Sequence, residues 1–188
     1  MDGYKEKAND KIVRCIIVIG GLLHGLNALL NTNVLVHIFG NILTRLIFVG
    51  IAIVTSLVAC ERDYYLPFLG DCVFPNGLLA PHVTPNGGDK IVNANVPANT
   101  KVIYWAAEPC YEDCDIPVMA WDAYKNYTNS GVATSDNMGC VKFMVRGPQA
   151  YDVPYKENTL TPHVHYRYLK HNGMFSKIYT VKVDEKPI

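Results

Sequence analysis

Between positions 12 and 59 the chain carries only two charged side chains, Arg14 and Arg45, whereas almost all its other charge lies before or after that stretch. A run so poor in charge asks for an apolar solvent. It divides into two candidate spans, residues 12–30 and about 41–59, each close to the roughly 20 residues that cross a ~30 Å hydrocarbon core at 1.5 Å per helical residue. Asn31, Thr32 and Asn33 form a turn signal between them, and residues 34–40 read as a short interfacial segment. Because a second apolar stretch follows the first, the expectation is a retained hairpin and not a cleaved signal peptide. Neither a myristoylation start nor a prenylation box is present at the ends, so the helices are the expected anchor.

Arg14, His24, Asn27 and Arg45 are costly in lipid and are expected to face the partner helix, a second copy or the headgroups. Interhelical hydrogen bonding is favoured over a proton or ion path through His24 or Arg45, since no acidic partner lies in the spans. Gly20, Gly21 and Gly25 offer a close-packing face, with Gly50 and Ala52 expected opposite, and a homo-oligomer through this face is plausible. Lys5, Lys7, Lys11 and Arg14 precede the first span and Arg62 follows the second, which predicts both ends on the cytosolic side. A β domain there is in a reducing compartment unless the membrane has its own oxidation machinery.

The order Gly20-Gly21-Leu22, Gly25-Leu26, Phe39-Gly40 and then Arg45 through Ala52 resembles the YuzA-type two-helix membrane family, a domain of unknown function found mostly in bacteria. The resemblance covers about the first third of the chain. It departs at Leu23 and His24, where that family has a tryptophan after the glycine pair, and it implies no activity. Pro162-His163-Val164-His165-Tyr166-Arg167 followed by Gly173-Met174 is similar to the end of β-rich extensions on membrane proteins of nucleocytoplasmic large DNA viruses. That second resemblance implies a minor virion component, seated in an internal membrane and touching capsid proteins.

After Cys60 the composition changes. Pro67, Pro75, Pro81 and Pro85, with Asn76-Gly77 and Asn86-Gly87-Gly88, predict a loop-rich connector, a linker or a strap. Strand-like runs follow at 90–96, 101–107, 141–146, 163–169 and 176–183. In the third, Val141, Phe143 and Val145 alternate with Lys142 and Arg146, the period-two pattern of a half-buried strand. Asn172-Gly173 predicts a tight turn joining the last two runs as a hairpin, and Tyr104 and Trp105 are expected on opposite strand faces. No convincing helical periodicity is present in this region. The organisation expected is α+β: a transmembrane two-helix hairpin over 1–62, a linker over 63–89, and a small antiparallel β-sandwich-like domain over 90–188.

The formal net charge is zero, which argues against a nucleic-acid partner. His163 and His165, two apart on a predicted strand, share a face and are the metal candidates, with His82, His171 or a cysteine as further ligands. Neither the glutamate that follows a cupin-type His-x-His nor a cupredoxin-like Cys, His and Met cluster is present. Hydrogen-bonded strand histidines are therefore the default, and no cofactor is expected. Cys110 and Cys114 match a zinc spacing incompletely; a disulfide, from Cys110 to Cys114 or involving Cys140, competes with free thiols. Cys140 as a nucleophile with His163 or His165 as base has no supporting motif. Asn126-Tyr127-Thr128 is read as a chance sequon, and the acidic loop from Glu108 to Asp115 as solvated. The function expected is a membrane-anchored structural or interaction protein and not an enzyme. The alternatives are a membrane-tethered metal- or thiol-dependent enzyme and a small channel or transporter subunit.

Overall fold

The computed structural model describes residues 2–111, 115–153 and 159–183, with the side chains of residues 2–8 and 62 outside the account. It separates into two compact units, Met1–Leu69 and Gly70–Ile188. The expected α+β organisation is observed.

In the first unit α1 (Asp2–Leu30) and α2 (Val34–Ala59) are both long and apolar enough to cross a membrane, and only 6% of each apolar window is buried. Leu22, Leu29, Ile42 and Leu57 present their side chains outward, so the pair needs an apolar environment to cover it. The helix is broken at Gly40, which adopts φ 73°, ψ 172°, a conformation that favours glycine. The short segment expected ahead of the second span is thus the first turns of α2. Asn27 joins the helices, its Oδ1 accepting the Val34 N–H at 3.1 Å and so capping a helix start that Asn33 leaves without a side-chain cap. His24 packs on Phe48 with ring centroids 4.6 Å apart, Arg14 sits over the Tyr64 ring at 5.1 Å, and Arg45 is exposed. The small residues do not form one face. Gly20 meets Ile51, while Gly21, Gly25 and Gly50 face open space, because consecutive helical positions are about 100° apart.

Two short helical pieces follow, α3 (Arg62–Tyr65) and a 3-10 turn at Pro67–Leu69. The second unit then begins twenty residues before the first predicted strand. β1 (Cys72–Val73) pairs with β7 (Met174–Phe175), Val83 bridges Val132, and Lys101 Nζ donates to the carbonyls of Asn76 and Leu79 at 3.3 and 2.9 Å. Residues 70–89 are therefore a strap hydrogen-bonded to the β domain and not a free linker; proline and glycine removed their helical or strand signature, and only long-range pairing gave them structure.

The remaining strands are β2 (Lys90–Asn95), β3 (Lys101–Ala106), β4 (Ser130–Thr134), β5 (Cys140–Val145), β6 (His163–Tyr168) and β8 (Tyr179–Lys182). The antiparallel pair β2–β5 faces a four-stranded antiparallel sheet of order β4-β3-β6-β8. Between them lies the core: Val92, Val102, Tyr104, Ala106, Ala133, Val141, Phe143, Val145 and Val164. Alternation in β5 aims Val141, Phe143 and Val145 inward; in β3 it buries Tyr104 and turns Trp105 to the sheet's outer face. The final hairpin is interrupted. Gly173 (φ 82°) makes the tight turn, Phe175 bridges Leu169 on one side and pairs with β1 on the other, and the Ser176 side chain accepts the Tyr168 N–H before β8 pairs antiparallel with β6.

Gly131 on β4 is set against the Tyr104 hydroxyl and the Val83 carbonyl, with no room for a methyl group. Gly131→Ala is expected to destabilise the β domain by about 1–3 kcal/mol through overpacking, read as a lowered midpoint in denaturant unfolding of the detergent-solubilised chain.

Candidate functional site

The outer face of the four-stranded sheet is covered by a second, smaller cluster. α4 (Ala120–Tyr124) brings Ala123 and Tyr124, and the strap closed by the Tyr151–Leu160 bridge brings Tyr151, packed with Ala107 and Trp105. Beneath them β6 presents His163 and His165, whose side chains share this face because strand side chains alternate. Trp105 is the cross-strand partner of His165, with ring centroids 5.7 Å apart.

Four polar atoms converge here. Tyr124 Oη lies 2.9 Å from Tyr151 Oη and 3.3 Å from His163 Nε2; Tyr151 Oη lies 3.1 Å from His163 Nε2; and His163 Nε2 lies 3.3 Å from His165 Nε2. The far nitrogens point outward. His163 Nδ1 is 2.6 Å from the Thr161 carbonyl, and His165 Nδ1 is 2.8 Å from Thr180 Oγ1. A carbonyl only accepts, so His163 Nδ1 carries the proton. Burial holds the His163 pKa below the usual imidazole value, against the raising effect of that hydrogen bond, and in the neutral ring Nε2 is the acceptor. A tyrosine hydroxyl both donates and accepts, so the two phenols and the two imidazoles can close a neutral hydrogen-bond network around this atom. Burial also pushes the Tyr124 hydroxyl far above the usual phenol range, with the Tyr151 hydroxyl adding to the rise.

The distances between these atoms are hydrogen-bond distances, and they also match the spacing of donors around a metal ion. Metal–ligand bonds of about 2.0–2.1 Å put neighbouring donors roughly 3.3 Å apart in a tetrahedron and roughly 2.9 Å apart at adjacent octahedral positions. Holding the far nitrogen of a histidine with a carbonyl or hydroxyl is the usual second layer of a metal site. Among the described residues no three His, Cys, Asp or Glu side chains gather; the groups beside the two histidines are tyrosines.

The other sequence candidates are elsewhere. His82 lies next to the Val83 bridge, beyond β4 at the far edge of the sheet, and His171 lies in the turn before Gly173. Cys140 starts β5 and is held by Asp136 at the Asn99 end of the sandwich, whereas His163 and His165 sit beside the Ala106 end of β3. The cysteine–histidine nucleophile pairing is not assembled. Cys72 and Cys140 are free thiols, Cys110 is disulfide-bonded, and Cys114 lies outside the described residues. Glu108 is no cation ligand: it pairs with Arg146 at 2.5 Å and accepts from Thr128 and the Asn129 N–H. Tyr124 and Tyr151 were missed because a five-residue helix and an isolated bridge leave no periodic signal; the only available hint was tyrosine density ahead of His-x-His.

Asn129 fixes the loops that frame this site. Fully buried, it donates to the Ala107 and Arg146 carbonyls at 2.7 and 2.9 Å and accepts the Arg146 N–H at 2.9 Å. No family model and no curated protein matches the chain. Asn129→Ala is expected to cost about 3 kcal/mol by stranding those buried backbone groups, measured by urea unfolding followed by tryptophan fluorescence.

Proposed function

We propose that this chain is a membrane-anchored metalloprotein whose β domain binds one transition-metal ion, best ferric iron, through Tyr124, Tyr151, His163 and His165. The observation that carries this reading is the convergence of three further donor atoms within 3.3 Å of His163 Nε2, while the ring proton on Nδ1 is held by the Thr161 carbonyl. Imidazole suits iron, copper, zinc and nickel; the absence of thiolate from the set and the two hard phenolate oxygens favour a small, highly charged ion. Such an ion supplies the charge that deprotonates tyrosines whose burial otherwise keeps them neutral. His165 is only half-buried, and Trp105 and the exposed Tyr127, stacked on Tyr124 at 5.5 Å, border the cluster. The Cys110 disulfide supports an oxidising setting for the domain, in which iron is ferric.

The full chain, stripped of metal in detergent, is expected to take up one equivalent of iron supplied as ferric nitrilotriacetate. A visible phenolate-to-iron absorption should develop, and protons should be released because both tyrosines ionise. Tyr124→Phe and Tyr151→Phe each weaken that absorption, and His163→Ala or His165→Ala abolishes binding. Uptake that survives all four substitutions, or no uptake of iron, copper or zinc, contradicts the assignment and leaves the four groups as a hydrogen-bonded brace.

A second reading, a structural link between an internal membrane and a capsid shell, is favoured by the tether itself: β8 ends the four-stranded sheet, and a sheet edge accepts a partner strand. Both readings need the hairpin in lipid. Alkaline carbonate should leave the full-length protein in the membrane pellet, and its release without detergent contradicts anchorage.

A further inference from the structure

We infer that Asn86 is a site of spontaneous covalent modification, converting to aspartate and isoaspartate in the folded protein while the fold holds back the other two Asn-Gly pairs. Asn76-Gly77, Asn86-Gly87 and Asn172-Gly173 share one local chemistry: with no side chain on the following residue, its backbone nitrogen reaches the asparagine Cγ unhindered. Their surroundings differ. At Asn172 both reacting groups are occupied, Oδ1 accepting the Met174 N–H at 2.9 Å and the Gly173 N–H donating to the Lys170 carbonyl at 3.0 Å. Asn76 is half-buried, and Gly77 lies inside a 3-10 turn whose backbone bonds, Leu78 N–H to Pro75 at 3.0 Å and Leu79 N–H to Asn76 at 3.2 Å, fix the peptide that would have to rotate.

Asn86 and Gly87 are both exposed, in the middle of a turn closed by one long bond, from the Gly88 N–H to the Pro85 carbonyl at 3.3 Å, with Gly87 at φ 73°. Among the described residues no hydrogen bond holds the Asn86 side chain or the Gly87 N–H. The contact that is made there assists the reaction. Arg146 Nη1 donates to the Asn86 carbonyl at 3.1 Å, and a guanidinium on that oxygen favours the deprotonated form of the Asn86–Gly87 amide, which is the nucleophile. Water or hydroxide takes the Gly87 amide proton, the nitrogen attacks Cγ, and Nδ2 leaves with a proton as ammonia, so that a succinimide closes. One water then opens the ring. Attack at Cγ gives aspartate and attack at the main-chain carbonyl gives isoaspartate; the net change is one water taken up and one ammonia lost, with no redox partner. The new carboxylate appears beside Arg146, whose Nη2 is already paired with Glu108, and isoaspartate adds a backbone carbon to the turn that leads into β2.

The test ages the full-length protein in detergent at mildly alkaline pH, folded and in urea, and follows each Asn-Gly pair by peptide mass spectrometry with fragmentation that separates isoaspartate from aspartate. The ratio of folded to unfolded rate should stay near unity at Asn86 and fall about tenfold or more at Asn76 and Asn172, where structure must open first. Asn86→Gln, which closes only a slower six-membered ring, should remove the acidic species that accumulates on ion exchange. Folding that slows Asn86 as much as Asn172, or Asn76 or Asn172 reacting in the folded chain as fast as Asn86, overturns the assignment, as does an acidic species that persists unchanged in Asn86→Gln.

Discussion

A histidine that has given one ring proton to a backbone carbonyl has no choice left at its other nitrogen. Thr161 imposes that condition on His163, and burial keeps the ring neutral, so a lone pair is fixed at the centre of a ring of oxygen and nitrogen atoms. Thr180 Oγ1 lies 2.8 Å from His165 Nδ1 and orients that ring without fixing its tautomer, because a hydroxyl both donates and accepts. What the other elements do is bring Tyr124 and Tyr151 to that point, where with His165 they make three polar neighbours of one lone pair, the convergence on which the proposed metal site rests.

The two units distribute their apolar side chains in opposite ways. In the hairpin, backbone polarity is closed inside helices and the apolar side chains face outward, the arrangement that lipid requires. In the β domain the polarity is reversed: Val102, Phe143 and Val164 are hidden between two sheets, and polar groups that are buried have partners, Asn129 with three and Arg167 with the carbonyls of Gly70 and Ser176. Arg167 also stitches the strap to β6, so the chain entering from the hairpin is fastened to the same strand that carries the histidines.

The spans were legible because hydropathy over twenty residues needs no tertiary context, and β5 because period-two alternation survives when one face is core. The shared face of His163 and His165 was legible for the same reason. What escaped was set by contacts distant in sequence. Residues 70–89 looked like a linker because their order comes from Phe175, Val132 and Lys101, not from local pattern. The glycine stripe of α1 divided because Gly20 and Gly21 cannot share a helix face. The final hairpin is irregular at Ser176, whose side chain accepts the Tyr168 N–H. At the site, Tyr124 depends on a one-turn helix and Tyr151 on a bridge to Leu160, so two of four donors had no sequence signature while the two histidines did.

Iron K-edge X-ray absorption of the iron-loaded full-length protein addresses the centre most directly. The account predicts a first shell of nitrogen and oxygen only, at about 1.9–2.1 Å, with the outer-shell scattering of two imidazole rings. Sulfur in the first shell, or a shell without imidazole scattering, contradicts it.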